Sequence, residues 1–129
     1  MILFLIALGG AVGSLLRYLI GGAVQRTSGS GFPAGTMFVN VVGCFLIGVF
    51  VRFLLNMQLS AELRALLVVG FCGGFTTFST FTLEAAGLVE GGEYARAATY
   101  VLGSLVLCLI ATFAGMAAMG GISSTTHVR

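Results

Sequence analysis

The sequence predicts an all-α membrane protein with four transmembrane helices, the third of them broken. Three observations carry this. First, 58% of the residues are hydrophobic and 8% are charged, whereas soluble domains carry roughly 25% charged residues. So few charges could not cover a soluble chain of this size. Second, apolar runs long enough to cross a bilayer, about 20 residues each, recur along the chain. Third, one of these runs is interrupted by a dense string of Gly, Thr and Ser. The charged residues are Arg and Glu alone, and the formal net charge of +2 comes with no basic run. That balance offers no footprint for a nucleic-acid partner. The glycines lie inside apolar runs, where small residues let membrane helices approach closely.

The first span covers residues 2–24 and is interrupted by Arg17. It has no basic start, its apolar stretch is too long, and no cleavage pattern follows, so it is not a secretory signal. Residues 25–31 read as a loop, and Pro33 suits a helix start. The second span covers residues 34–55, with Arg52 near its far end. Ser60 is placed to cap the third span, which covers residues 63–89. Residues 90–93, Glu-Gly-Gly-Glu, read as a turn. The fourth span covers residues 94–119. Residues 122–129 read as a flexible tail, and His127 as a tail residue rather than a ligand. Cys44, Cys72 and Cys108 lie in apolar stretches without C-x-x-C spacing and read as small buried hydrophobes, with no disulfide or metal site inferred.

Four spans with short loops put both termini on one side. That side holds Arg52, Arg64 and Arg129, and the other holds Arg17, Arg26 and Arg96. Orientation follows the Lys/Arg bias of the loops, and here there is none. A chain without preference can insert both ways, so an antiparallel dimer is a physical possibility. Chance balance in so small a set is the other reading.

The third span carries the break. Its middle, residues 70–82, reads GFCGGFTTFSTFT. Glycine lets the backbone leave helical geometry, and hydroxyl side chains can bond freed carbonyls. Non-helical backbone at membrane depth survives only where protein buries it or where it lines a cavity. The break is expected between Gly73 and Ser79.

Polar groups inside the bilayer are costly and therefore functional candidates. Asn40 and Thr36 lie one turn apart on one face of the second span, and the Asn40 amide, with two donors and an acceptor, could serve a permeant or make a helix–helix hydrogen bond. Tyr100, Ser104, Cys108 and Thr112 recur every fourth residue along the fourth span. Such a hydroxyl track suits a polar permeant, while local bonding of Ser and Thr to their own helix is the alternative. Arg17 and Glu84, at similar depth, could snorkel to the interface or pair with each other. Phe75, Phe78 and Phe81 read as packing or lipid-facing aromatics. Their positive ring edges could also offer an anion a weak contact.

These residues resemble the Fluc (CrcB) fluoride-channel family. The motifs are Gly9-Gly10-x-x-Gly13-x-x-x-Arg17-Tyr18, Gly35-Thr36-x-x-x-Asn40-x-x-Gly43, and the stretch from Gly70 to Phe81. The resemblance covers all four spans. It implies a passive, fluoride-selective channel that lowers fluoride toxicity, working as a dual-topology, antiparallel homodimer in a bacterial inner membrane. It implies a pore of Asn40, Phe78 and Phe81, with hydroxyls from Ser79, Thr80, Tyr100, Ser104 and Thr112 and with Thr36 nearby. It places Arg17 and Glu84 in the vestibule. It also implies a structural sodium ion at the dimer centre, held by the backbone carbonyls of Gly73 and Thr76. Phe75, where many relatives carry Leu, and Cys108, where Ser is frequent, depart from the pattern.

The competing reading is a small multidrug-type, proton-coupled transporter, which shares short spans and dual topology. Such transporters use an acidic residue in the first span and Trp, whereas this chain has Arg17 there and no Trp. No nucleophile–base pair or metal-ligand cluster points to an enzyme.

Overall fold

A computed structural model describes residues 1–57 and 60–120. The predicted tail, with His127 and Arg129, lies outside the described residues. Helix α1 runs Ile2–Ser28 and ends on Gly29, whose φ of 57° is left-handed. The expectation of a loop from residue 25 is therefore corrected. Gln25, Arg26, Thr27 and Ser28 are polar but compatible with a helix, and only the glycine stops it. Gln25 then secures the connection. Its Nε2 donates to the carbonyls of Ser30 (3.3 Å) and Phe32 (3.0 Å), and its Oε1 accepts from the Gly35 N–H (3.0 Å).

Helix α2 runs Ala34–Met57. Pro33 precedes it, as expected, and the Pro33 carbonyl accepts the Met37 N–H. Helix α3 covers residues 61–75. Ser60 caps it by accepting the Leu63 N–H, and it widens into a π-helix over Ala65–Cys72 before a last short turn, Gly73–Phe75. Thr76 and Thr77 are extended, and helix α4 resumes over Phe78–Glu90. The expected break is present and is confined to those two threonines. Gly91 and Gly92, the latter with φ 75°, make the turn into helix α5, Tyr94–Gly120. Counting α3 and α4 as one interrupted span, the described residues contain four helical segments long and apolar enough to cross a membrane.

Two close-packed pairs organise the bundle. A Cβ at Gly9 or Gly13 of α1 would collide with the α3 backbone at Leu66 and Phe71, or at Phe71 and Phe75. Reciprocally, one at Gly70 or Gly74 would meet the α1 backbone at Ile6 and Gly10. Glycines four apart on both helices thus interleave backbone against backbone, the small-residue packing typical of membranes. Helix α2 meets α5 in the same manner, Gly48 against the Thr112 carbonyl and Gly115 against the Phe45 carbonyl. The outer faces carry exposed Leu3, Phe4, Leu15, Leu19, Leu83 and Phe113. In water such a surface would drive aggregation; in lipid it is the solvent-matched face.

Candidate functional site

The site is built at the break. An unbroken helix would pair the Thr77 N–H with the Gly73 carbonyl and the Phe78 N–H with the Gly74 carbonyl. Two side chains from neighbouring helices replace those bonds. Asn40 of α2 reads Thr77 with both ends of its amide: Oδ1 accepts the Thr77 N–H at 2.8 Å, and Nδ2 donates to the Thr77 carbonyl at 3.1 Å. Arg17 of α1 donates its Nε to the Gly74 carbonyl at 3.0 Å, supported by the Ser14 hydroxyl at 3.4 Å. Thr76 closes its own turn, donating both N–H and Oγ1 to the Cys72 carbonyl. Thr77 caps α4, its Oγ1 accepting the Thr80 N–H and donating to Thr80 Oγ1.

The sequence leaves Asn40 either a donor to a permeant or a helix–helix hydrogen-bonding group. One of its two N–H groups is given to Thr77, so it has a structural task and one further donor. Arg17 and Glu84 do not pair. Arg17 holds the break, and Glu84 accepts two hydroxyl protons, from Thr36 at 2.8 Å and from Tyr100 at 2.7 Å. Glu93 with Arg96 is the ion pair found among the described residues.

A cavity of about 680 Å³ opens beside the break, lined by Asn40, Thr76, Thr77, Phe78, Phe81 and Ser104 among mainly apolar groups. Phe78 is exposed and Phe81 half-buried, their rings 5.6 Å apart, and Phe81 leans on Tyr100 at 5.1 Å. Ser104 is 5% exposed, and its Oγ has no hydrogen-bond partner among the described residues. The expected hydroxyl track is therefore interrupted. Ser104 keeps a free hydroxyl in the cavity wall. Tyr100 and Thr36 give theirs to Glu84, and Thr112 donates to the Cys108 carbonyl of its own helix. Ser79 and Thr80 sit in the hydroxyl knot around Thr77.

The break also fits a hard cation. The N–H that would cover the Gly73 carbonyl is held by Asn40. Gly73 is exposed, with nothing within 4 Å of where a Cβ would stand. Among the described residues no group of three or more His, Cys, Asp or Glu gathers to hold a metal ion, and backbone carbonyls such as those of Gly73 and Thr76 are the kind of oxygen ligand a hard cation takes. Sequence reasoning missed the parts played by Thr77, Ser14 and Gly74. Only Thr77 left a signal, a hydroxyl three residues before Thr80 in N-cap spacing.

A helix broken at membrane depth, its loose ends tied by polar side chains beside a cavity, defines a multi-pass membrane protein with a polar site inside the bilayer. The family model described as "CrcB-like protein, Camphor Resistance (CrcB)" matches residues 4–116, and the chain belongs to that family. It is 49% identical over 121 residues to the "Fluoride-specific ion channel FluC" of Rhizobium etli (strain CIAT 652), covering 93% of this chain and 97% of that one. It is 52% identical over 111 residues to a protein of the same name from Thermus thermophilus, covering 86% and 89%. It is 51% identical over 114 residues to that of Geobacter sulfurreducens, covering 88% and 92%. The multidrug-type transporter reading finds no support among these relatives.

Proposed function

We propose that the chain is a passive fluoride channel of a bacterial inner membrane, working as an antiparallel homodimer with dual topology. The observation that carries this reading is the Asn40-bridged break beside a cavity walled by Phe78, Phe81 and Ser104, in a chain whose relatives are named fluoride-specific channels. Taking a small anion out of water costs several kcal/mol even after relaxation. The second Asn40 N–H, the Ser104 hydroxyl and the ring edges of Phe78 and Phe81 would replace that water stepwise. Conduction requires that none of these binds too tightly. Thr36 and Tyr100 donate to the Glu84 carboxylate, and none of the three lines this cavity. Hydrogen fluoride enters a cell as a neutral acid and ionises in the more alkaline cytoplasm, so a leak for the anion lowers the trapped load.

The single-chain cavity is open on one side and Gly73 is exposed, which suits closure by a second copy. The near-even arginines favour that copy being inverted. A sodium ion at the carbonyls of Gly73 and Thr76 would then sit between the two breaks and hold them together.

The test is anion efflux from liposomes containing the purified protein. Fluoride is expected to leave far faster than chloride, and equal fluxes would overturn the reading. A folded Phe78→Ile, Phe81→Ile double variant is expected to lose most of its fluoride efflux. Wild-type efflux there would remove the rings from the path.

A further inference from the structure

The cavity wall holds three groups that permeation does not use. Cys44, Cys72 and Cys108 all line it, and all three are free thiols. Cys44 belongs to α2 and Cys108 to α5, and the register of those helices brings them together. Met37 lies by Gly103, and Gly48 packs on the Thr112 carbonyl. The contacts advance together along both chains, so α2 and α5 run parallel. Cys44 is one turn before Gly48, and Cys108 is one turn before Thr112. The pair therefore shares a level of the seam and lines the same cavity. Both are half-buried, whereas Cys72 is 1% exposed and belongs to α3.

We propose that Cys44 and Cys108 form a two-coordinate site for a soft metal ion bridging α2 and α5 in the cavity wall, and that mercury(II) is the ion it suits. Thiolate sulfur selects soft ions. A tetrahedral zinc site needs four ligands, and the described residues bring no cluster of three suitable groups together. What remains is an ion content with two sulfur ligands. Charge decides among those. Two thiolates neutralise a divalent ion, leaving no net charge in a largely apolar cavity, whereas a monovalent ion would leave a buried anion, which is costly. In forming the site two S–H bonds break, two Hg–S bonds form, two protons pass to water, and no oxidation state changes. The bridge would stand one turn from Ser104, in the wall of the proposed anion path. Inhibition of flux thus rests on the channel reading, while metal binding does not.

The experiment uses the full chain in detergent, exposed to mercury(II) acetate and passed through a gel-filtration column in a monothiol buffer. One mercury per chain is expected to remain. Cys44→Ala and Cys108→Ala are each expected to lower retention at least tenfold, and Cys72→Ala to leave it unchanged. Equal retention in all three variants, or loss only with Cys72→Ala, would overturn the site. Thiol alkylation of the wild type, mapped by mass spectrometry, makes the same test without substitutions. Joint protection of Cys44 and Cys108 supports the site, and protection of either alone refutes it. In liposomes, one mercury per chain is expected to suppress fluoride efflux in the wild type but not in Cys44→Ala. Retained mercury with no fluoride efflux before or after treatment would leave the site standing and reject the channel.

Discussion

At the scale of single residues, Asn40 matters for what it holds as much as for what it offers. Its amide substitutes for a piece of backbone, taking one donor and one acceptor of Thr77. Asn40→Ala would leave the Thr77 N–H without its partner inside the membrane, at about 1–3 kcal/mol, while the Thr77 carbonyl, at the N-cap of α4, keeps the first bond of that helix. It is therefore expected to lower the thermal midpoint in detergent as well as to reduce fluoride efflux by about tenfold or more, the kinetic equivalent of one lost hydrogen bond. A variant with unchanged stability and lost flux would show that the bridge to Thr77 is dispensable. Arg17 is a parallel case. The sequence suggests snorkelling or a pair with Glu84, but its Nε serves the Gly74 carbonyl. Arg17→Leu is expected to cost about 1.5–3 kcal/mol, the range for a hydrogen bond with a charged group, read as a fall in thermal midpoint. A variant as stable as wild type would assign Arg17 to the vestibule alone.

At the scale of elements, the glycines of α1 and α3 set how closely those helices lie, and that distance places Arg17 against the break. Gly13→Ala would drive a methyl group into the backbone at Phe71 and Phe75. Overpacking of this kind typically costs about 1–3 kcal/mol. Gly87→Ala, where open space surrounds the position, should be neutral or slightly stabilising, since alanine is the better helix former by about 1 kcal/mol. Thermal unfolding of the two variants in detergent compares them directly, and equal midpoints would contradict the interleaved packing. The broken span was readable in advance because Gly73, Gly74, Thr76, Thr77 and Ser79 are poor choices for a continuous membrane helix. The particular residues that leave the helix were not, because the break falls where Asn40 can reach Thr77.

At the scale of the whole molecule, the proposed working unit is larger than one chain. If a sodium ion joins two breaks through the carbonyls of Gly73 and Thr76, replacing sodium with a large organic cation should weaken association of the detergent-solubilised dimer. Unchanged association by light scattering or single-molecule subunit capture would refute the ion's structural part. In that proposed unit a second copy would cover Phe78, 77% exposed in the single chain, and close the cavity.

The sequence by itself determined the solvent in which this protein lives, the four spans, the position of the broken one to within a few residues, and Asn40 as a polar group to be accounted for. These follow from local quantities: apolar run length, glycine content, and the cost of placing an amide in lipid. Tertiary structure alone decided the partners. Arg17 reaches Gly74, 57 positions away in the chain, and Thr36 reaches Glu84, 48 positions away. Helix α1 continues to Ser28 because its polar end reaches water without breaking the hydrogen-bond ladder. The track of Tyr100, Ser104 and Thr112 is even in sequence but unequal in space, since a hydroxyl gives its proton to whichever acceptor the packing brings nearest. For Tyr100 that is Glu84, for Thr112 its own helix, and for Ser104 no hydrogen-bond partner stands among the described residues.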